Sequence, residues 1–175
     1  KCSQYFNIPI VWVEAVVHHG QRKGTTFKVV DYKTAKRKGE NGPFEEVIKK
    51  YGIPNITTPH CTRELKANPI RKYAKSLGWK KYYTAIGYRV DEMDRMDKNY
   101  IKNRFIYPLI FKHMQPMNKP LINAWWMKQE FRLNLKGYHG NCKTCWKKGD
   151  KKLYQIAKEN PEHFDFTIKM EEKYG

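Results

Sequence analysis

The chain has no apolar run of the roughly 20 residues that a membrane-spanning helix needs, so we expect no membrane partner. Acidic residues are scarce. Against 35 Lys and Arg there are 17 Asp and Glu, which gives a formal net charge of +18. An excess of this sign favours an anionic partner, such as a nucleotide or a nucleic acid, although it also serves solubility. The basic residues are scattered and no nucleic-acid-binding motif accompanies them, so the charge predicts only the sign of the partner.

Cysteine is also sparse, with four residues in 175. No secretory signal segment is evident, and paired cysteines in a reducing compartment indicate metal binding or redox chemistry more often than structural disulfides. We therefore expect a cytoplasmic protein. Cys142 and Cys145 form a Cys-x-x-Cys pair whose sulfurs can face one point, and Cys61 offers a third thiolate. These three cysteines predict a metal site or sulfur chemistry.

The hydrophobic pattern predicts strands alternating with helices. Residues 8–17 are almost continuously apolar and β-branched, which is typical of a buried parallel strand. Shorter strands are predicted at 27–32 and 82–87. Helices are predicted to begin at Pro43, Asn68, Pro120, Asp150 and Asn160, and the first two to end at glycine. Their predicted inward side chains include Leu121, Ala124, Trp125, Leu153, Ile156, Ala157, Phe164 and Ile168. This order predicts a single α/β domain over 1–175 with a largely parallel sheet.

Two arginines and two carboxylates follow the strand predicted at 82–87. Arg89 and Arg95 have the fork geometry that binds phosphate or sulfate oxygens, and Asp91 and Glu92 would orient them or contact ribose hydroxyls. The alternative is an exposed cluster of salt bridges in which the four charges neutralise one another. Both interpretations remain open from the residues alone.

Five segments in chain order carry a resemblance to a known family. They are Cys-x-x-x-Leu-Lys-x-x-Pro at 61–69, Gly-x-Arg-x-Asp-Glu-x-x-Arg at 87–95, Tyr-Pro-Leu-Ile at 107–110, the Trp-rich segment 125–131, and Gly-Asn-Cys-x-x-Cys at 140–145. Together they resemble the phosphoadenosine phosphosulfate reductase family, particularly its divergent phage and bacterial members, within the adenine-nucleotide alpha-hydrolase-like superfamily. The likeness extends over most of residues 10–175. It implies a doubly wound α/β fold, with a mostly parallel sheet that holds an adenine nucleotide or sulfonucleotide as substrate.

The family's phosphate-binding loop, of the Ser-Gly-Gly-x-Asp-Ser type, has no counterpart in this sequence. In the family this loop follows the first strand, and its backbone amides hold phosphate. Residues 10–17 resemble the strand that comes after it. We therefore expect an N-terminally truncated version of the fold, without the first strand, the loop and the following helix.

The resemblance implies two alternative uses of the cysteines. Members with a four-iron cluster use an adjacent cysteine pair and a later Cys-x-x-Cys. His60 stands here where the first of the adjacent pair would be, so the implied ligands are His60, Cys61, Cys142 and Cys145, with His139 as a rival fourth ligand. The same set suits either an iron–sulfur cluster or zinc.

In members without a cluster, a C-terminal cysteine attacks the substrate sulfur and forms an S-sulfonate that thioredoxin or glutaredoxin releases. Cys142 or Cys145 would take this catalytic part, with a thiolate favoured by the positive charge of Lys143, Lys147 and Lys148. Cluster, zinc site and free dithiol remain open alternatives.

The resemblance also makes Lys66 a contact for substrate phosphate or sulfate, where the alternative is an ordinary exposed lysine. Three functions are therefore considered. The first is a reductase-like enzyme that acts on an adenylylated or sulfated nucleotide. The second is an ATP-dependent enzyme that adds sulfur to nucleic acid, which the net charge favours. The third is a non-enzymatic basic module that binds zinc.

Overall fold

A computed structural model describes residues 2–36, 41–140 and 142–175. They form two compact units, one from the described parts of 1–78 and 136–175 and the other from 79–135. The helices and strands are α1 (Cys2–Tyr5), β1 (Trp12–Val16), β2 (Thr26–Val30), α2 (Pro43–Tyr51), α3 (His60–Thr62), a π-helical turn (Arg63–Ala67), α4 (Asn68–Ser76), β3 (Thr84–Ala85), a 3-10 helix (Val90–Arg95), β4 (Phe105–Ile106), α5 (Lys119–Met127), α6 (Asp150–Glu159), a second 3-10 helix (Pro161–Phe164) and α7 (Asp165–Tyr174).

The sheet of the first unit is a hairpin. Strands β1 and β2 pair antiparallel, from Trp12 opposite Val30 to Val16 opposite Thr26. Residues 17–25 connect them, and this connection is shorter than the dozen or more residues that a parallel crossover requires. The second strand is confirmed within two residues. The strand predicted over 8–17 is present at Trp12–Val16, but the prediction that it is parallel is wrong, because it pairs antiparallel with β2.

The apolar run before and within β1 is also less buried than predicted. Only Ala15 is buried in this strand, whereas Ile10 and Trp12 are 49% and 47% exposed. A continuous apolar run indicates that a strand can be covered on both faces, but it does not supply the second layer. In the described residues, the helix that contacts this hairpin most extensively is α4.

Helix α2 begins and ends where the sequence predicts. Pro43 lies in its first turn, where the missing N–H group costs nothing. Gly52 ends the helix with a φ of 83°, a conformation that residues with a side chain seldom adopt, and its N–H group donates to the Ile48 carbonyl at 2.7 Å. Val47 and Ile48 are buried, so the predicted inward face is confirmed for these two residues.

Helix α4 begins at Asn68, the predicted residue, but two further helical turns precede it without a break. Helical backbone begins at His60 and continues through the π-helical turn into α4, so Asn68 is inside the segment and does not cap it. Pro69 has no N–H group to continue an α-helical hydrogen-bond ladder. The ladder instead widens ahead of it, and the Asn68 N–H group donates to the carbonyl of Arg63, five residues back. The predicted start of α4 at Asn68 is therefore confirmed, whereas the helical backbone over 60–67 that leads into it was not predicted.

Helices α6 and α7 complete the first unit. Ile156 is fully buried and Met170 is 2% exposed, and α7 packs on α2. The start of α6 at Asp150 is confirmed. Ile168, predicted to face inward, is 51% exposed, and Ala157 is exposed as well. A short 3-10 helix follows Asn160 before α7 begins at Asp165, and the buried residue of α7 is Met170.

A buried carboxylate connects α2 to α7. The side chain of Glu45 is 2% exposed and accepts hydrogen bonds from Lys173 Nζ at 2.7 Å, Tyr174 Oη at 3.1 Å and the Asn41 N–H group at 2.8 Å. The ammonium of Lys173, followed by the Asn41 N–H group, lowers the pKa of Glu45 to about 2. The carboxylate is therefore charged at neutral pH, and its charge is paired.

The second unit is organised around Tyr107. Strands β3 and β4 pair in parallel, with the Thr84 N–H group donating to the Arg104 carbonyl at 2.8 Å. Tyr107 is 1% exposed, stacks on Tyr88 at 5.8 Å between ring centroids, and accepts a hydrogen bond from the Asp97 N–H group through its hydroxyl. A strand is thus confirmed within 82–87, although it is only two residues long.

Helix α5 starts near the predicted residue, with the Asn118 side chain accepting a hydrogen bond from the Leu121 N–H group at 3.0 Å. Its predicted inward face is wrong. Leu121 and Trp125 are 52% and 41% exposed, and Ala124 is exposed too. A helix period in the sequence identifies an apolar face, but burial needs a neighbour that covers it.

The larger architecture predicted from the resemblance is not visible in these residues. No sheet of more than two strands occurs among them, and the doubly wound parallel sheet, the N-terminal truncation and the single domain over 1–175 stay predictions. In the described ranges, none of the helices combines the length and the apolar character that crossing a membrane requires.

We predict that Lys173→Gln lowers the free energy of unfolding at pH 7 by about 1–3 kcal/mol, because it leaves a buried carboxylate without its cation. The estimate lies below that for a fully buried pair because Lys173 is itself half exposed. Denaturant unfolding measures the change. Lys72→Gln, which removes an exposed lysine of α4, is the matched control and should change the free energy by less than about 0.5 kcal/mol.

The same pair predicts a pH dependence. The folded pKa of Glu45 lies below its ordinary value of 4.5, so the stabilisation is fully present above about pH 4.5 and is lost as the pH falls toward about 2. The difference between wild type and Lys173→Gln should shrink across this window. A difference that stays constant from pH 7 to the acid limit would contradict the assignment.

Candidate functional site

The Cys-x-x-Cys pair lies in a loop that one lysine organises. Lys148 Nζ donates to the carbonyl oxygens of Tyr138 and Gly140, both at 2.7 Å. The backbone N–H group of Lys148 donates to the Cys145 carbonyl at 2.9 Å. Cys142 is exposed and Cys145 is half-buried, and both are free thiols. The lysine that the sequence suggested as an electrostatic aid to a thiolate therefore also holds the loop together from within.

This loop is fastened to the C-terminal helices by side-chain hydrogen bonds. Thr144 Oγ1 and Thr167 Oγ1 are 3.0 Å apart, and Lys143 Nζ is 2.7 Å from Nε2 of His163. These contacts reach the segment from the second 3-10 helix to α7. The cysteine pair is thus held on a positioned loop, which suits a thiol that must meet a substrate in a defined orientation.

A carboxylate at the end of α6 fixes the start of the same loop. Glu159 accepts hydrogen bonds from Lys136 Nζ at 2.8 Å and from the Tyr138 hydroxyl at 2.6 Å, and Gln155 Nε2 donates to it at 2.7 Å. Lys136, followed by Tyr138, lowers the pKa of Glu159 to about 2. Glu159 is therefore ionised at neutral pH and offsets one positive charge of this region.

Two histidines meet beside the loop. The ring centroids of His139 and His163 are 6.2 Å apart. His139 Nε2 and His163 Nδ1 are both inaccessible to solvent, and neither has a hydrogen-bond partner within the described part of the chain. His139 was a predicted ligand. No spacing in the sequence marked His163, which lies in the second 3-10 helix after α6.

The other predicted ligands lie at the start of the His60–Ser76 helical segment. His60 is buried, its Nε2 lies 2.9 Å from the Gly52 carbonyl, and its ring packs 5.6 Å from that of Tyr51. Because a carbonyl only accepts, Nε2 carries the proton, and this histidine connects two helices. Cys61 follows it and is half-buried.

A metal centre is not assembled among these side chains. His60, Cys61, His139, Cys142 and Cys145 all lie within the described residues, and no three or more His, Cys, Asp or Glu side chains there are grouped so as to hold a metal ion. The arrangement therefore does not fit the implied iron–sulfur cluster or zinc ion. Both cofactors stay predictions, and no step of the chemistry below depends on them.

Lys66 is exposed on the π-helical turn, whereas its neighbour Glu64 is 3% exposed. Glu64 accepts hydrogen bonds from the Thr25 hydroxyl, from Arg63 Nε at 2.6 Å and from Asn68 Nδ2 at 3.2 Å. Burial raises the pKa of Glu64, but these donors outweigh it and the net shift is downward. The turn that presents Lys66 is therefore anchored to the loop before β2 through a buried carboxylate.

The predicted anion-binding arginines of the second unit form a closed network. Arg89 makes two hydrogen bonds to Asp91, at 3.1 and 3.0 Å, and an ion pair with Glu92 at 2.9 Å. Arg95 pairs with Glu92 and lies 4.3 Å from the ring centroid of Tyr88. Asp91 holds the pKa of Arg89 above its usual value.

Asp91 has a further structural contact, since it accepts from the Lys119 N–H group at the start of α5 at 3.2 Å. This geometry matches the salt-bridge alternative, because two cations and two anions satisfy one another. Arg95 is 51% exposed, however, and only its Nη1 is engaged in the ion pair. Of the two arginines, it keeps more hydrogen-bonding capacity for a ligand.

The chain is similar to a bacteriophage protein. It is 32% identical over 160 residues to the uncharacterized nin region protein ORF290 of Escherichia phage lambda. The alignment covers 89% of this chain and 52% of the phage protein, so the chain spans about half the length of that relative. No protein-family model matches the chain, and no solved structure matches it.

We predict that Lys148→Gln loosens the cysteine loop, because it removes two hydrogen bonds from an ammonium group to carbonyls. The free energy of unfolding should fall by about 1–3 kcal/mol, and amide hydrogens in 138–148 should exchange faster. Lys147→Gln is the matched control, because that ammonium makes no such bonds to the residues that the structure describes and lies 5.1 Å from the ring centroid of Trp146. Equal exchange rates in both variants would show that Lys148 does not organise the loop.

Proposed function

We propose that the protein acts on an adenylylated or sulfated nucleotide through cysteine sulfur chemistry, in the manner of the phosphoadenosine phosphosulfate reductase family. One observation carries the proposal, namely an exposed thiol at Cys142 on a loop held by Lys148 and by the Thr144–Thr167 contact. A nucleophile needs both access and a fixed direction. In this loop Cys142 has more access than the half-buried Cys145.

The proposed reaction has two steps. In the first, the Cys142 thiolate attacks the sulfur of the sulfonucleotide, a sulfur–sulfur bond forms, and the bond from that sulfur to the phosphate oxygen breaks. The nucleotide leaves with the electron pair. In the second step, a dithiol donor of the thioredoxin or glutaredoxin class attacks the Cys142 sulfur, sulfite leaves, and the donor is oxidised to a disulfide when its second thiol releases the enzyme.

Positive charge around the thiol supports this reading. Lys143 lies between the two cysteines in sequence and Lys147 lies two residues after Cys145, and both lysines are exposed. An anionic sulfonucleotide is attracted to such a region, and a thiolate is favoured in it. Lys66 and Arg95 are the exposed cations of the predicted substrate set, while Arg89, Asp91 and Glu92 stay predicted substrate contacts that the salt-bridge network already engages.

The phage relative is uncharacterized and twice as long as the matched region, so its alignment adds no activity. Because the chain spans about half of that relative, we propose the activity for the whole protein as well as for this chain. Nucleic-acid sulfuration keeps the same cysteine chemistry but activates a base or backbone position with ATP. The zinc-binding module has less support, because the predicted ligands are not grouped in the described residues.

We predict that incubation with adenosine 5′-phosphosulfate, or its 3′-phosphorylated form, adds one sulfonate group to the chain, and that Cys142→Ser abolishes the adduct. Intact-protein mass spectrometry before and after a dithiol reductant measures both. Cys2→Ser is the matched control and should retain the adduct, because Cys2 is an exposed cysteine far from this loop in sequence. Cys145→Ser should retain the adduct as well, because Cys145 is not the attacking thiol.

Two results would contradict the proposal. One is a chain that is folded by circular dichroism yet forms no adduct and shows no heat of binding with any adenine nucleotide. The other is an adduct that persists in Cys142→Ser, which would place the reacting thiol elsewhere.

A further inference from the structure

The outward face of α6 carries an aromatic side chain between two lysines. Lys151, Tyr154 and Lys158 occupy positions i, i+3 and i+7, which lie on one side of a helix. Ile156, on the opposite side, is fully buried, whereas Tyr154 is 72% exposed. This burial fixes the orientation of the helix, so the three side chains form an exposed stripe about 10 Å long.

The lysines of this stripe have no hydrogen-bond or ion-pair partner among the described residues, whereas three of the lysines nearby do. Residues 136–158 contain seven lysines and one carboxylate, Asp150. Lys136 pairs with Glu159, and the ammonium groups of Lys143 and Lys148 are engaged by His163 and by backbone carbonyls. By contrast, Lys151 and Lys158 make no side-chain hydrogen bond or ion pair with any residue that the structure describes, and Lys152 beside them makes none either.

We propose that this face of α6 binds the backbone of single-stranded nucleic acid, with a base stacked on the Tyr154 ring. Lys151 and Lys158 would contact phosphates on either side of the stacked nucleotide. Basic side chains that follow the backbone and aromatic rings that accept a base are the two elements of sequence-tolerant single-strand binding. The stripe combines both on one rigid helix.

The exposed ring distinguishes a single strand from other polyanions. Bases in a duplex are stacked and paired, so their faces are not available to Tyr154, and recognition would then depend on phosphate contacts alone. A phosphopeptide likewise offers charge without a planar base. A surface selected only for solubility would not require an aromatic side chain between its two cations.

This surface is independent of the proposed sulfur chemistry. It uses no cysteine, and the binding test needs no sulfonucleotide. Cys142→Ser should therefore bind an oligonucleotide as tightly as wild type does. In Cys142→Ser, loss of the sulfonate adduct together with unchanged oligonucleotide binding is the result that both proposals expect. Each proposal can therefore fail while the other stands.

The test is fluorescence anisotropy of the full chain with a labelled oligothymidylate of twelve nucleotides at several salt concentrations. We expect Lys151→Gln/Lys158→Gln to weaken binding at least fivefold at low salt. The slope of log K against log salt should fall in magnitude by about 1.4, since two phosphate contacts are lost at about 0.7 each. Tyr154→Ala should weaken binding about tenfold, whereas Tyr154→Phe keeps the ring and should stay within twofold of wild type.

The matched control is Lys80→Gln/Lys81→Gln, which removes the same charge from two exposed lysines of the other unit. It should weaken binding less than twofold. Equal losses in the two double variants would mean that net charge alone attracts the oligonucleotide, and would overturn the proposal. It would also be overturned by full affinity in Tyr154→Ala, or by a twelve-base-pair duplex that binds as tightly as the single strand. Thermal melts confirm that each variant is folded.

Discussion

The first unit depends on a carboxylate buried near one end of α2. Glu45 lies 128 positions before Lys173 in the chain, and this pair, together with the Tyr174 hydroxyl, joins α2 to α7. A charged carboxylate in such a place is strongly unfavourable unless it is paired, so the segment around Asn41 and the end of α7 are constrained to meet it. This constraint holds α7 against α2, although the two helices are far apart in sequence. The cysteine loop is fastened in turn to the C-terminal helices, at His163 and Thr167.

A second buried carboxylate has a comparable role in the same unit. Glu64 lies in the π-helical turn, where the widened hydrogen-bond ladder precedes Pro69, and it receives donors from Thr25, Arg63 and Asn68. The turn is thereby tied to the connection between β1 and β2. Extra residues in a helix often accompany functional positions, and here the turn presents the exposed Lys66. Its geometry is stabilised by polar contacts as well as by apolar packing.

Local signals in the sequence predicted the helix ends well and the burial poorly. Pro43 and Gly52 identified α2 because both act through the backbone of their own turn. The inward faces of α5 and α7 depended on neighbours that a periodic pattern does not specify, so Trp125 and Ile168 are exposed. Glu45 and Glu64 had no signal at all, since a carboxylate in a charged segment resembles a solvated one until its distant donors are known.

The candidate site shows the same division. The Cys-x-x-Cys spacing identified the pair, whereas the exposure of Cys142, the approach of His163 and the internal contacts of Lys148 follow only from the fold. The net positive charge of the sequence did not show which cations are available to a ligand. The two arginines identified by their motif are paired with Asp91 and Glu92. The net charge of the chain is available to a ligand only where lysines lack such partners, as on the outward face of α6. A positive charge that is already paired contributes mainly to the fold, and one that is unpaired beside an exposed aromatic ring is available for recognition.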